Sequence, residues 1–215
     1  MTGLPHLVDL PGLWSLSRAT GLVLLVLLSL TLALGMLATA RTTPRWWPRF
    51  ATAALHVDLA VLSLALLVAH VTVTVVDGWV EIGWADAVIP FRAGYRPVWA
   101  GLGTVAALLL VTAAATAAAR RFLPQPLWRR THYLTHAAWP VAVVHGLGAG
   151  SDRGSAGAVP LTLGCVALVT FATVLRFTGP PGSRGHGWGG VVARLVAVAL
   201  PVLLGAWLGS TGALR

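Results

Sequence analysis

The sequence is poor in charged residues and in cysteine. Only 10% of its 215 residues are charged, whereas a soluble domain carries roughly a quarter. Cys165 is the only cysteine, which excludes a disulfide framework, an iron–sulfur cluster and a thiolate zinc site built from this chain. Lysine is absent, so all 15 basic residues are arginines. What remains is a chain dominated by apolar side chains.

Those apolar residues make up 57% of the sequence, and the mean hydropathy is +0.81. A helix needs a run of about 17 to 25 apolar residues to cross a bilayer. The first such run lacks a signal-peptide cleavage site, so we expect it to remain as a helix. The sequence predicts an all-α integral membrane bundle that forms a single domain over residues 1–215. Its six transmembrane helices are predicted near 21–40, 51–76, 98–119, 131–149, 159–175 and 191–208.

The net charge of +9 is distributed unevenly between the two sides of the predicted bundle. Three alternate connections hold ten arginines and no acid, namely Arg41, Arg45, Arg49, Arg120, Arg121, Arg129, Arg130, Arg176, Arg184 and Arg194. The positive-inside rule places these connections in the cytoplasm and both termini outside. We therefore expect a multi-pass protein of the cell membrane whose arginines reflect topology and contact with lipid, with no nucleic-acid partner.

Histidines are rare and costly inside a membrane, where they usually face the bundle interior. His56 and His70 lie 14 residues apart in the second predicted helix, which places them within about 40° of one face and about 21 Å apart in height. His132 and His145 lie 13 residues apart in the fourth, a rise of about 19.5 Å. Both helices run outward, so the depths match. The spacing predicts two cross-helix pairs, His56 with His132 and His70 with His145.

Two features of the fourth helix leave alternatives open. A 13-residue step on an ideal helix turns the side chains about 140° apart, although a kink at Pro140 is available to reorient them. His136 lies one turn after His132, so it is an alternative inner ligand, a supporting hydrogen-bond donor or a packing residue.

A pair of imidazoles suits some metal sites better than others. Zinc sites use three or four protein ligands, and the additional Cys, Asp or Glu is missing at both depths, since Asp58 is the only carboxylate in a predicted helix. Heme iron takes axial imidazoles above and below a porphyrin, whose apolar plate suits an apolar bundle. Two facing imidazoles therefore favour a six-coordinate b-type heme.

Three stretches resemble the ferric reductase-like transmembrane domain, the heme-bearing core of ferric reductases, NADPH oxidases and the heme subunit of bacterial methionine sulfoxide reductase systems. They are "LHVDLAVLSLALLVAH", "PFRAGYRPVWAGLGT" and "WRRTHYLTHAAWPVAVVHGLGAGSD", which cover the second to fourth predicted helices. The resemblance implies that four histidines bind two stacked b hemes, one toward each membrane face. Carried over, these metal and cofactor ligands are His56, His70, His132 and His145.

Charged residues near the predicted hemes are secondary candidates. Arg96 could pair with an outer heme propionate, because a guanidinium forks onto a carboxylate, or it could face lipid headgroups. Arg49, Arg129 and Arg130 could act similarly at the inner heme, although topology alone accounts for them. Asp58 points to a different helix face from His56.

The sequence therefore predicts a di-heme b-type cytochrome that carries single electrons across the membrane as the heme subunit of an oxidoreductase. The resembling oxidases continue into a flavin- and nicotinamide-binding region that these residues do not contain. We therefore expect a redox partner, either a flavoprotein reductase, an outer-face acceptor or a quinone. The alternatives are a heme-free transporter or a proton or metal-ion channel that uses the histidines, and a structural membrane anchor for a redox partner.

Overall fold

A computed structural model describes residues 12–40, 48–77, 80–149 and 157–178, and within these ranges the regular elements are all helical. The sixth predicted helix, 191–208, lies outside the described residues. A short 3-10 turn, Arg120–Phe122, connects two of the helices. The helices are α1 (Leu13–Ala40), α2 (Arg49–Val76), α3 (Pro97–Ala118), α4 (Gln125–His132), α5 (Leu134–Ala149) and α6 (Ala158–Thr178).

Four of these helices are long and apolar enough to cross a membrane. The candidate spans are Leu13–Thr39, Phe50–Val76, Pro97–Ala118 and Ala158–Arg176. The prediction of an all-helical chain with several apolar helices is confirmed for the described part, and it is compatible with a multi-pass membrane protein. The number of six spans stays a prediction.

The predicted helix 131–149 differs most from the structure, which divides it at Tyr133. Helix α4 ends at His132, and Tyr133 adopts φ −66° and ψ −13°. The N–H of His136 then donates to the carbonyl of Tyr133 at 3.0 Å, a three-residue step typical of a tight 3-10 turn. Because this turn interrupts the helix, the angle of about 140° expected between His132 and His145 on one ideal helix does not apply.

Proline starts three of the helices. Pro48 precedes α2 in an extended conformation, Pro97 is the first residue of α3, and Pro124 precedes α4. Proline suits the first position of α3 because its fixed φ is already helical and its missing N–H would have no partner in the first turn. Pro48 and Pro124 lie one residue before their helices, with ψ of 133° and 134°. Pro140 lies inside α5, where it removes one hydrogen bond from the helix.

The helices pack as two close pairs, α1 with α2 and α3 with α5, and α6 packs against α1. A buried apolar core joins α1, α5 and α6, and Trp139 in this core donates from Nε1 to the hydroxyl of Ser29 at 2.9 Å. Helix α2 carries exposed valines, among them Val57, Val61 and Val68. Such a surface is expected of a helix that meets lipid tails. Between the two close pairs lies the cavity described below.

Candidate functional site

Three histidines have the same hydrogen bond to a neighbouring helix. His56 and His70 of α2 contact α1, and His145 of α5 contacts α3. In each ring Nδ1 donates to a backbone carbonyl oxygen, at Thr31 (2.9 Å), Ser17 (2.9 Å) and Trp99 (2.8 Å) respectively. A carbonyl oxygen only accepts, so Nδ1 carries the proton in the neutral ring and Nε2 carries the lone pair. All three rings therefore have Nε2 available as a ligand.

A glycine faces each of these three rings. It lies four residues after the accepting carbonyl, one helical turn further along the same face. A Cβ placed on Gly35, Gly21 or Gly103 would lie 3.1, 3.1 or 2.6 Å from Cε1 of His56, His70 or His145. A Cβ at Gly103 would force the His145 ring to shift, and a Cβ at Gly35 or Gly21 would require the facing ring to move by a few tenths of an ångström. The pairing of a carbonyl with a glycine four residues later thus fixes the position of each imidazole.

This arrangement was not recognised from the sequence, although part of its signal is visible there. Gly21 and Gly35 are 14 residues apart, as are His56 and His70. Because α1 and α2 pack closely along their length, an equal spacing on both helices lets each histidine meet a glycine. The accepting carbonyls carry no sequence signal, since every residue has one.

The structure brings His70 and His145 to one cavity of about 280 Å³. We call this end of the bundle the His70 level. Ligand pockets typically occupy about 300 to 1,000 Å³ and are mostly apolar, and this cavity lies near the lower limit. Much of its wall is apolar, with Leu25, Leu28 and Leu110 among the lining residues, and its charged lining residues are Arg18, Asp77 and Asp86.

The structure also brings His56 and His132 together, at what we call the His56 level. Their ring centroids are 6.2 Å apart and the rings are inclined at 72°. A metal ion held at about 2 Å from one nitrogen of each ring would place the ring centres about 6 Å apart. The distance between the ring centres is therefore compatible with one metal ion held between the two rings.

His132 is held differently from the other three. Its Nδ1 is buried and has no hydrogen-bond partner, and its ring stacks on Trp128 at 5.5 Å with an interplanar angle of 22°. The guanidinium of Arg120 lies 4.3 Å from the centre of the Trp128 ring. Aromatic stacking thus takes the place of the carbonyl and glycine for this ligand candidate.

His136 lies apart from both pairs. It is 9 residues before His145, which places it about 180° away around α5, on the face that carries the buried Trp139 and Val143. The side chain is 8% exposed, its Nε2 is buried and without a partner, and its ring centre is 5.5 Å from that of Tyr133. At the His56 level, the ring that contacts His56 is that of His132.

Arg96 has a protein partner in this structure. It adopts a left-handed conformation before α3, with φ 40°, and its Nη1 donates to the carbonyl of Gly148 at 2.7 Å. The guanidinium therefore ties the start of α3 to the end of α5. The cavity is instead lined by Arg18, which sequence reasoning did not select because it resembles any other arginine near a helix end.

The remaining charged candidates lie at the surface. Arg129 and Arg130 are exposed on α4, and Asp58 is exposed on α2. The side chain of Arg49 lies outside the described part of the structure.

Comparisons of the chain with protein-family models, with curated proteins and with solved structures found no match. Over the described ranges, no group of three or more His, Cys, Asp or Glu side chains is arranged to hold a metal ion. The histidines come together as pairs.

Proposed function

We propose that this chain is a di-heme b-type membrane cytochrome that carries single electrons across the membrane, as the heme subunit of an oxidoreductase. The observation that carries the proposal is the repeated arrangement at His56, His70 and His145. In each, a carbonyl holds Nδ1 and a glycine makes room for the ring. A packing histidine needs no such arrangement, whereas a ligand histidine must present Nε2 in a fixed direction.

The donor set suits heme. Ligating histidines almost always donate their other ring N–H to a carbonyl, carboxylate or water, which fixes the ring and makes the ligating nitrogen more basic. Two imidazoles at each level, with no third His, Cys, Asp or Glu grouped with them among the described residues, would hold a heme iron. When bound, the heme supplies a one-electron couple, and the protein binds and orients it.

Residues of this chain have distinct roles in the proposal. His70 and His145 hold the heme at the His70 level, and His56 and His132 hold the other. Gly21 and Gly35 mark the two levels on α1 and are separated by about 21 Å of helix, a large part of the roughly 30 Å hydrocarbon core. Two hemes at these heights would divide the crossing into shorter electron-transfer steps.

The polar groups between the two levels favour electron transfer over a transport pathway. Ser63 of α2 donates to the carbonyl of Leu59 at 2.7 Å, and Ser29 of α1 donates to that of Leu25 at 2.6 Å. These hydroxyls satisfy helix carbonyls, and the cavity wall near them is built from leucine, alanine and valine. Electrons cross such a region, whereas protons and metal ions need a polar path.

The partners follow from the predicted topology. The His56 level is then cytoplasmic, and the donor on that side is a flavoprotein reductase or a quinone. The His70 level faces outward, toward an outer-face acceptor. The exposed arginines of the 3-10 turn and of α4 would favour an acidic donor, since charge complementarity steers association.

Electron transfer through purified protein in lipid vesicles tests the proposal. The heme-loaded protein is placed in vesicles that contain trapped ferricyanide, and dithionite is added outside. Neither reagent crosses the bilayer. We expect the trapped ferricyanide to be reduced much faster than in protein-free vesicles, and His70→Ala to remove the acceleration. A heme-loaded protein that leaves the trapped ferricyanide oxidised would contradict electron transfer, and a colourless protein that moves protons or metal ions would support the transporter.

A further inference from the structure

Arg176, at the end of the last candidate span, is a buried cation with no ionic partner among the residues that the structure describes. It is 7% exposed. Its Nη1 donates to the hydroxyl of Thr39 at 2.5 Å, and its Nη2 lies 3.5 Å from the hydroxyl of Tyr133. No carboxylate within the described residues pairs with it. Burying a charge is costly unless an opposite charge compensates it.

Among the acids that the structure describes, none lies where it could supply this charge. Asp77, Glu81 and Asp86 lie at the opposite end of the bundle, after α2, and Asp9 and Asp152 lie outside the described residues. Thr39, which contacts Arg176, is 18 residues beyond Gly21 at the His70 level, a rise of about 27 Å. Asp58 alone belongs to the same end, and it is exposed on α2. The C-terminal carbonyls of α6 provide only about half a negative charge.

Several groups around Arg176 can donate hydrogen bonds. We call Thr39, Tyr133, His136 and Arg176 the Arg176 cluster. The buried Nε2 of His136 has no partner, and this ring lies beside Tyr133. The hydroxyl of Thr39 already donates to the carbonyl of Met36 at 2.7 Å. The guanidinium, the Tyr133 hydroxyl and the imidazole remain as donors that complement an anionic oxygen group, because hydrogen bonds to a charged acceptor are the strong ones.

We propose that the Arg176 cluster binds the phosphate or carboxylate of a membrane-resident ligand. Arg176 ends the candidate span Ala158–Arg176. In a bilayer crossed by this helix, the cluster would lie at the depth where lipid headgroups begin. Basic pockets between membrane helices bind such headgroups. A propionate of the heme at the His56 level is a second group that could supply the anion. Only this second ligand rests on the proposed function.

The first experiment measures bound phospholipid. The full chain is purified in mild detergent, washed to remove loose lipid and analysed by native mass spectrometry. We expect anionic phospholipid to remain on the wild-type protein, Arg176→Gln to reduce its retention about tenfold and Arg176→Lys to have an intermediate effect, because Lys keeps the charge but loses the planar fork. Arg92→Gln is the matched control, since Arg92 is 60% exposed at the opposite end.

The second experiment uses heme and its uncharged dimethyl ester with protein freed of heme. If a propionate is the anion, the wild-type protein binds the dimethyl ester more weakly than heme at the His56 level. The Arg176→Gln protein then binds heme and its ester equally. Tyr133→Phe removes one hydroxyl from the cluster and should weaken the same ligand even if Arg176→Gln does not fold.

Either a variant-sensitive phospholipid or a variant-sensitive preference for free heme supports the site. The proposal is overturned if phospholipid retention is equal in all variants and the ester binds as well as heme. A wild-type protein that binds no heme refutes the proposed function, and the phospholipid experiment then decides this proposal alone.

Discussion

A histidine in a helical bundle binds a metal through the nitrogen that its hydrogen bonds leave free. In His56, His70 and His145 the carbonyl partner of Nδ1 leaves Nε2. Each ring also rests against a glycine, so orientation as well as tautomer is set by the neighbouring helix. Such positioning should be sensitive to a single added methyl group.

Replacing Gly35 or Gly103 by alanine should displace the facing histidine, and the displacement should be larger where the new Cβ lies closer to the ring. In Gly103→Ala the new Cβ would lie 2.6 Å from Cε1 of His145, compared with 3.1 Å from His56 in Gly35→Ala. Loss of ligand support typically costs about 10- to 100-fold in metal affinity, and we expect Gly103→Ala to be the more severe. Heme content per chain, measured as the pyridine hemochrome, checks this. Gly164→Ala is the control, because nothing lies within 4 Å of its Cβ. Full heme content in Gly103→Ala would contradict the positioning role.

The choice between His132 and His136 gives a second prediction at this scale. His132→Ala should remove about half of the heme, because one ligand pair holds each ring. His136→Gln should keep both hemes, since that ring lies on the opposite face of α5 from His145. Optical spectra of the reduced proteins distinguish the two results. A heme lost from His136→Gln and kept in His132→Ala would assign the ligand to His136 instead.

At the scale of the elements, the break at Tyr133 shows what the sequence could and could not predict. Residues 131–149 form an apolar run with no glycine or proline at the break, so nothing in the pattern separates α4 from α5. The break is visible only in the backbone, where the N–H of His136 donates to the carbonyl of Tyr133. By contrast, α2 and α3 start within two residues of their predicted bounds, because a proline marks each start.

We expect the stacking of Trp128 on His132 to fix the orientation of the His132 ring. Trp128→Ala removes the aromatic stack from a ring whose Nδ1 has no partner, so we expect weaker heme binding at the His56 level and unchanged binding at the His70 level. The rate of heme transfer to excess apomyoglobin measures both. Trp84→Ala serves as the control, since Trp84 is 62% exposed in the connection before α3. Equal rates of heme transfer for the two variants would show that Trp128 does not position His132.

For the whole molecule, apolar run length and histidine spacing predicted the all-helical class and the two histidine pairs that the structure brings together. The helix pairings, the glycines opposite the rings and the Arg176 cluster could not be predicted. They depend on which helix faces pack together, and hydropathy is nearly uniform around these helices. Arg96 illustrates this limit, because its partner is a carbonyl of α5.

The predicted orientation can be tested by labelling single cysteines in a Cys165→Ala background. Val88→Cys and Arg121→Cys are suitable because both positions are exposed and lie in connections at opposite ends of the bundle. With both termini outside, an impermeant maleimide should label Val88→Cys in intact cells and Arg121→Cys only after the membrane is opened. The reverse pattern would invert the molecule and exchange the proposed donor and acceptor sides.

The pairing of the four histidines is tested most directly by the heme content of two double variants. If His70 and His145 hold one heme, His70→Ala combined with His145→Ala should lose no more heme than either change alone and retain about one heme per chain. His70→Ala combined with His132→Ala should lose both hemes. A wild-type protein without heme, or a His70→Ala/His145→Ala protein that loses all of its heme, would contradict the account.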